Sequence, residues 1–268
     1  MLALRVLSAA VAIPLLVVIV RFAPFWLFIG FILALVLTAQ WELYRMFAGV
    51  GIAADRGLGL LLGIMVVLAF AFGGSARPLL VPLALSLAVA GSLAMGLARA
   101  RGPRPEWTGT ALTLLGVCYC AWLLAHAIWL WTLPGGRNLT LLLLGVTWCG
   151  ETAAYFVGRR WGRVKLAPRV SPAKTVEGAV AQVLGSIAAA LVGAGAAVVS
   201  PVHAFGIGLT LGVVGQVGDL AESLLKRSAA TKDAGGLVPG HGGLLDRLDS
   251  LLFNVPALYY YVKLVLHG

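Results

Sequence analysis

Four polar residues near the carboxyl-terminal end of an apolar segment have types and spacing that suit phosphate and metal chemistry. They are Asp219, Glu222, Ser223 and Lys226. Separations of three, four and seven residues from the first member place all four on one face of an α-helix. An ionised carboxylate at the edge of the hydrocarbon costs several kcal/mol unless it pairs with a cation or binds a metal ion. An interfacial ion pair with Lys226 accounts for Glu222, but it leaves Asp219 unexplained.

A second acidic pair follows a glycine-rich loop. Asp246 and Asp249 are three residues apart, so a helix places them on one face. Capping of a helix start is the alternative explanation, since acidic residues favour the first turn; two carboxylates on one face also repel each other. With Asp219 they make three hard oxygen donors, the ligand type that magnesium prefers. We predict that Asp219, Asp246 and Asp249 bind one magnesium ion, with a second metal ion as the alternative.

Cations and glycines surround these acids. Cations beside metal-binding carboxylates neutralise phosphate charge, and glycines allow backbone N–H groups to approach a phosphate closely. The cations are Lys226, Arg227, Lys232, His241 and Arg247, and the turn contains Gly240, Gly242 and Gly243. This combination predicts a site for a polyphosphate.

A second polar connection, residues 158–176, holds six basic residues. The number of basic residues in this connection is explained by membrane topology and contact with lipid head groups. That explanation does not cover Ser171, Lys174 and Thr175, which stand immediately before an apolar helix. Short hydroxyl groups and a lysine beside the N–H groups of a helix start predict an anion site. The spacing of a Walker loop is absent.

The elements that position these residues are apolar helices. Of the 268 residues, 60% are hydrophobic and only 11% are charged. A soluble domain of this size needs more polar surface, whereas a lipid-facing surface does not. The composition therefore predicts an all-α, polytopic membrane protein. The nine predicted spans are 4–20, 24–41, 57–74, 78–98, 110–132, 138–157, 177–199, 203–222 and 250–266.

Lysine and arginine are concentrated in alternate connections between these spans. One side holds 16 of the 20, in segments 1–5, 42–56, 99–109, 158–176 and 223–249. Because basic connections remain in the cytoplasm, the amino terminus is predicted to be cytoplasmic. The same asymmetry explains the net charge of +10 without a nucleic-acid partner.

The acidic residues divide the chain into two regions. Seven of the ten lie between Glu151 and Asp249. Residues 1–140 are predicted to be a transmembrane scaffold, and residues 141–268 a catalytic region with cytoplasmic loops 158–176 and 223–249. In the span 203–222, Gly208, Gly212 and Gly215 share a face, which predicts close helix packing either within the chain or between two copies in a homodimer.

The polar segments resemble the phosphatidate cytidylyltransferase (CDP-diacylglycerol synthase) family. The resemblance covers roughly residues 148–260. Its main motif is Ser223-Leu-Leu-Lys226-Arg227, four residues, then Lys232-Asp233-x-Gly235-x-x-Val238-Pro239-Gly240-His241-Gly242-Gly243-Leu-Leu-Asp246-Arg247-Leu-Asp249. A second matching stretch is Ser171-Pro172-x-Lys174-Thr175-x-Glu177-Gly178. Glu151 departs from the family, whose members commonly have Asp there.

The resemblance implies that CTP and phosphatidic acid react to CDP-diacylglycerol and pyrophosphate, with magnesium as cofactor. It implies catalytic roles for Asp219, Lys226, Arg227, Lys232, Asp246 and Arg247. Substrate contacts are implied for Ser171, Lys174, Thr175, Ser223, His241, Gly242 and Gly243. A phosphate monoester is already a competent nucleophile, so His241 is predicted to contact phosphate and not to act as a base.

Membrane lipids are the expected surroundings, and a bacterial inner membrane with a cytoplasmic active site is the expected location. The nearest alternative is a related enzyme that acts on another lipid phosphate. A cation-coupled transporter is the alternative from a different class, since transporters also bury carboxylates in helices. Transport sites lie near the middle of the bilayer, however, whereas these acids flank a basic loop.

Overall fold

The computed structural model describes residues 2–74, 76–100, 107–235 and 242–266. These described residues form nine helices, and each predicted apolar span coincides with one of them. The helices are α1 (Leu2–Phe22), α2 (Phe25–Ala48), α3 (Arg56–Phe72), α4 (Leu80–Arg99), α5 (Thr108–Thr132), α6 (Gly136–Trp161), α7 (Val176–Ala197), α8 (Pro201–Ser228) and α9 (Leu245–Tyr261). A π-helical turn, Val117–Trp122, interrupts α5, and another, Val262–Leu266, continues α9.

Six of the helices in the described residues are long and apolar enough to cross a membrane. They are α2, α4, α5, α6, α7 and α8. Many large apolar side chains on these helices are exposed, among them Leu87, Leu184 and Val213. In water such exposure would be unfavourable, but hydrocarbon solvates these side chains. The chain is therefore an α-helical membrane protein with several spans.

The connection predicted as a loop at residues 158–176 has structure of its own. Helix α6 extends to Trp161, and strands β1 (Lys165–Ala167) and β2 (Ser171–Thr175) form an antiparallel hairpin. The prediction of an all-α fold is therefore correct for the helices and misses this hairpin. Its strands are three and five residues long, too short for an alternating pattern to stand out in a basic segment.

The described chain divides into two compact units. The first unit consists of Met1–Ala10, Ala23–Trp129 and Ala229–Asp246. Its interior contains a polar contact between helices: Tyr44 on α2 donates from its hydroxyl to the carbonyl of Thr113 on α5 at 2.8 Å. Gly59 and Gly116 make room for the Tyr44 ring, since a Cβ at either glycine would collide with it. A buried hydroxyl needs such a partner, because an unpaired one is costly in an apolar interior.

The second unit consists of Val11–Phe22, Leu130–Ser228 and Arg247–Gly268. Close approach of α7 and α8 depends on glycine: a Cβ on Gly208 would lie 2.5 Å from the Cα of Ile187, and one on Gly212 would lie 2.8 Å from the Cα of Val183. Gly215 faces Asn254 of α9 in the same way. The glycine face predicted from spacing thus packs within the chain. It carries no argument for a homodimer, which stays a prediction.

Candidate active site

Four carboxylates of the second unit form an acidic cluster, here defined as Glu151, Asp219, Glu222 and Asp249. Glu151 comes from α6, the middle two from α8 and Asp249 from α9. Helices α8 and α9 approach closely beside it because residue 218 is glycine: a Cβ there would lie 2.6 Å from the carbonyl oxygen of Asp249. The negative charges of Asp219, Glu151 and Glu222 all act on Asp249.

Two lysines balance part of the acidic cluster. The ammonium group of Lys174, on strand β2, lies 2.7 Å from a carboxylate oxygen of Asp219. Lys226 pairs with Glu222 one helical turn away, and the Glu222 side chain is fully buried. The ion pair proposed from sequence for Glu222 is therefore present. The pair of Glu222 with Lys226 does not explain Asp219. The carboxylate of Asp219 is balanced by Lys174, which the hairpin supplies.

Glu151 and Arg247 complete the charges around the cluster. The charges of Asp219, Lys174 and Arg247 act on Glu151, which also lies beside the hydroxyl of Ser250. Glu151 has a longer side chain than the Asp that is common in the family. It still interacts with the charges of predicted site residues. Lys174, Lys226 and Arg247 are cations that act on carboxylates of this cluster.

The hairpin side chains have different positions. Thr175 is buried, and its hydroxyl accepts a hydrogen bond from the backbone N–H of Gly178 at 3.2 Å, which caps α7. Ser171 is half-buried at the start of β2. Arg227, at the end of α8, donates from Nε to the carbonyl of Val170 at 3.2 Å. The structure gives Thr175 a capping role, and the predicted substrate contacts of Ser171 and Thr175 stay predictions. Ser223, on α8, is half-buried.

The other predicted residues belong to the first unit. Asp246 accepts from the backbone N–H of Ala234 at 3.0 Å and of Gly243 at 2.9 Å, both through Oδ2. Gly242 has φ +82°, a conformation that favours glycine. The N–H of Gly243 therefore binds Asp246 in this structure, and a contact between this glycine and phosphate stays a prediction. Lys232 is exposed in the same loop, and His241 lies outside the described residues.

The sequence analysis did not identify Glu42. It assigned this residue to a cytoplasmic connection, but α2 continues to Ala48 and Glu42 is only 2% exposed. Its carboxylate accepts from the backbone N–H of Leu244 at 3.0 Å and of Leu245 at 2.7 Å. A charged residue inside an apolar run was the available signal. It is the same signal that singled out Asp219.

A magnesium site needs oxygen donors that are grouped around one ion. Among the described residues, no three His, Cys, Asp or Glu side chains are grouped closely enough to hold a metal ion. Magnesium is usually bound through one or two carboxylates together with substrate phosphates and water. Asp219 and Asp249 provide carboxylates of this kind within one cluster. The donor chemistry fits magnesium, and the set Asp219, Asp246 and Asp249 stays a prediction.

The fold and these side chains define a class of protein: a helical membrane protein with paired carboxylates and cations suited to phosphate groups. A sequence model of the cytidylyltransferase family matches residues 3–265. The chain therefore belongs to the cytidylyltransferase family.

Similar curated proteins come from several bacteria. The chain is 42% identical over 146 residues to an uncharacterised protein, YnbB, of Escherichia coli K12, covering 52% of this chain and 49% of that protein. It is 42% identical over 135 residues to a phosphatidate cytidylyltransferase of Synechocystis, covering 50% of this chain and 46% of that protein. The alignment thus spans about half the length of these two relatives. A phosphatidate cytidylyltransferase of Thermotoga maritima is 29% identical over 268 residues, covering 97% and 96%.

Proposed function

We propose that this protein is a phosphatidate cytidylyltransferase, which transfers CMP from CTP to phosphatidic acid and releases pyrophosphate. The observation that carries the proposal is the contact between Lys174 and Asp219 at 2.7 Å, inside the acidic cluster. This pair brings a phosphate-binding cation and a metal-binding carboxylate to one place. The names of the Synechocystis and Thermotoga relatives support the same activity.

The reaction is an in-line displacement at phosphorus. An oxygen of the phosphatidate phosphate forms a bond to the α-phosphorus of CTP, and the bond from that phosphorus to the pyrophosphate oxygen breaks. Lys226, Arg227, Lys232 and Arg247 neutralise the phosphate charges. Lys174 and Ser171 contact the triphosphate. The phosphate monoester is the nucleophile, so none of these residues has to remove a proton from it.

Bound magnesium would offset the charge that develops on the phosphate oxygens. The residues proposed to hold it are Asp219, Asp246 and Asp249. In the present structure the ammonium of Lys174 serves as the counterion of Asp219. A lysine on a flexible four-carbon chain can release a carboxylate and bind a phosphate without movement of the backbone.

The proposed surroundings are a bacterial inner membrane with nine spans, a cytoplasmic amino terminus and the acidic cluster at the cytoplasmic face. This orientation follows from the distribution of Lys and Arg. It suits the substrates, since the acyl chains of phosphatidic acid remain in the bilayer while its phosphate meets a water-soluble nucleotide.

The test is turnover by the purified protein in mixed micelles with phosphatidic acid, CTP labelled at the α-phosphate, and magnesium. We expect labelled CDP-diacylglycerol and an equal amount of pyrophosphate, with both lost on addition of EDTA and restored by excess magnesium. Parallel reactions replace phosphatidic acid with a polyprenyl phosphate. Label found only in the polyprenyl product would overturn the choice of lipid, and no labelled lipid in any reaction would overturn the proposed function.

A further inference from the structure

The start of helix α9 is held by a side chain from α2, about 200 positions earlier in the chain. Glu42 is buried and accepts hydrogen bonds from the N–H groups of Leu244 and Leu245. N–H groups at a helix start have no partner within the helix, so a carboxylate there is favourable through hydrogen bonding and the helix dipole. An unpaired N–H group in a buried place would be costly.

Two carboxylates share the N–H groups around this helix start. Asp246 takes those of Ala234 and Gly243, and Glu42 takes those of Leu244 and Leu245. An aspartate in the first turn of a helix is itself suited to bind the N–H groups there. Glu42 occupies two of them and thereby limits the positions that the Asp246 carboxylate can adopt.

The two motif glycines that border this contact fit closely around Glu42. A Cβ on Gly235 would lie 2.5 Å from Oε1 of Glu42, and one on Gly243 would lie 2.8 Å from Oε2. Any larger residue at either position would therefore displace the carboxylate. Glycine is thus needed at residues 235 and 243 partly because Glu42, from the amino-terminal region, lies against both of them.

The loop around Ala234 also borders a cavity, and Glu42 lines the same cavity. Residues 229–231 and 233–235 line a cavity of about 640 Å³ together with Trp41 and Arg45 of α2 and with Val50, which follows α2. A segment that borders a cavity has lost van der Waals partners on that side. On this side, specific contacts come from the hydrogen bonds of Ala234 and Gly243 to Asp246, and of Leu244 and Leu245 to Glu42.

We propose that Glu42 is a positioning residue for Asp246 in the cytidylyl transfer. Glu42 touches neither the reacting atoms nor the substrates; it keeps the loop and the helix start in the arrangement that aims Asp246. This inference rests on the proposed function, in which Asp246 takes part directly. It also gives the amino-terminal region, predicted from sequence to be scaffold, a role in the site.

The test compares Glu42→Gln and Glu42→Ala with Gln40→Ala. Gln40 is buried on the same helix and donates to the carbonyl of Gly59 at 3.1 Å, so its variant disturbs the core without touching the loop. We expect kcat to fall about 10- to 100-fold in Glu42→Ala, the usual range for groups that orient metal ligands. The magnesium concentration for half-maximal rate should rise, and KM for phosphatidic acid should stay unchanged. Glu42→Gln, which keeps one acceptor oxygen, should lie between wild type and Glu42→Ala.

A second measurement does not depend on turnover. Hydrogen exchange of the peptide that contains Leu244 and Leu245 should become faster in Glu42→Ala and stay at the wild-type rate in Gln40→Ala. Unchanged exchange in Glu42→Ala would overturn the contact itself. If exchange becomes faster in Glu42→Ala while kcat and the magnesium requirement stay at their wild-type values, the positioning role is overturned. If the wild type itself forms no CDP-diacylglycerol, the proposed function fails, and the exchange result still decides whether Glu42 holds the helix start.

Discussion

In the second unit the carboxylate of Asp219 is balanced by the ammonium group of Lys174, whereas in the first unit the carboxylate of Asp246 is held by backbone N–H groups. A lysine can move its charge by rotating its side chain, but backbone N–H groups move only with the loop. The acidic cluster is therefore adaptable, and the Asp246 loop is fixed.

The variant Asp246→Asn is the strongest test of the fixed Asp246 loop. An amide oxygen can still accept from Ala234 and Gly243, so the loop should persist while the negative charge is lost. We expect kcat to fall about 100- to 1000-fold, the range seen when one group that stabilises developing charge is removed. Turnover of the purified variant at saturating substrates measures the effect.

Asp55→Asn is the matched control for that variant. Asp55 also accepts a backbone hydrogen bond at a helix start, from Leu58 at 3.2 Å, but its carboxylate pairs with Arg99, which is not a predicted site residue. Its activity should remain near that of the wild type. Equal losses in both variants would mean that the charge of Asp246 has no special role.

The acidic cluster also contains the buried ion pair of Glu222 with Lys226, which should contribute to the stability of the fold. Glu222→Gln removes the charge of a fully buried carboxylate that pairs with the ammonium of Lys226. Removing one member of a buried pair costs about 3 kcal/mol or more. Unfolding in detergent should show this loss, and the double variant Glu222→Gln with Lys226→Met should recover part of it. A double variant less stable than the single one would contradict the buried pair.

Helix packing supports the acidic cluster, and Gly208→Ala tests it. The added methyl group would meet the backbone of Ile187, so α7 and α8 would have to separate at a cost of about 1–3 kcal/mol. Gly145→Ala, on α6, is the control because nothing lies within 4 Å of its Cβ position. A lower melting temperature for Gly208→Ala alone is expected, whereas equal melting temperatures would show that α8 is less closely packed.

The smallest expected effect concerns Lys174→Ala. Loss of its ammonium group should raise KM for CTP about tenfold, or about 1.4 kcal/mol, and should change KM for phosphatidic acid less. Lys165→Ala is the control, since Lys165 is exposed on the neighbouring strand. Titration of each substrate at saturating levels of the other separates the two constants. A change confined to phosphatidic acid would reverse the proposed assignment of the hairpin to the nucleotide.

The sequence alone predicted where each helix of the described residues lies, because long apolar runs in a membrane protein have one stable backbone form, the helix. The predicted ends were less accurate, since α2 and α8 continue to Ala48 and Ser228, past the predicted ends at residues 41 and 222. An ion pair with Lys226 was one explanation that the sequence offered for Glu222, and the structure contains it, since residues four apart meet on one helix face. These are local properties, and local spacing decides them. Asp219 was similarly identified from the cost of a carboxylate in an apolar segment, whereas Glu42 was missed.

Only the tertiary structure decided which charges meet. Lys174 pairs with Asp219, and Glu42 binds a helix start about 200 positions later, because the folded chain brings distant segments together. The short hairpin and the intramolecular role of the Gly208 face also depended on partners outside their own segments. Spacing along one helix reports which face a residue occupies, and it contains no information about what lies opposite that face.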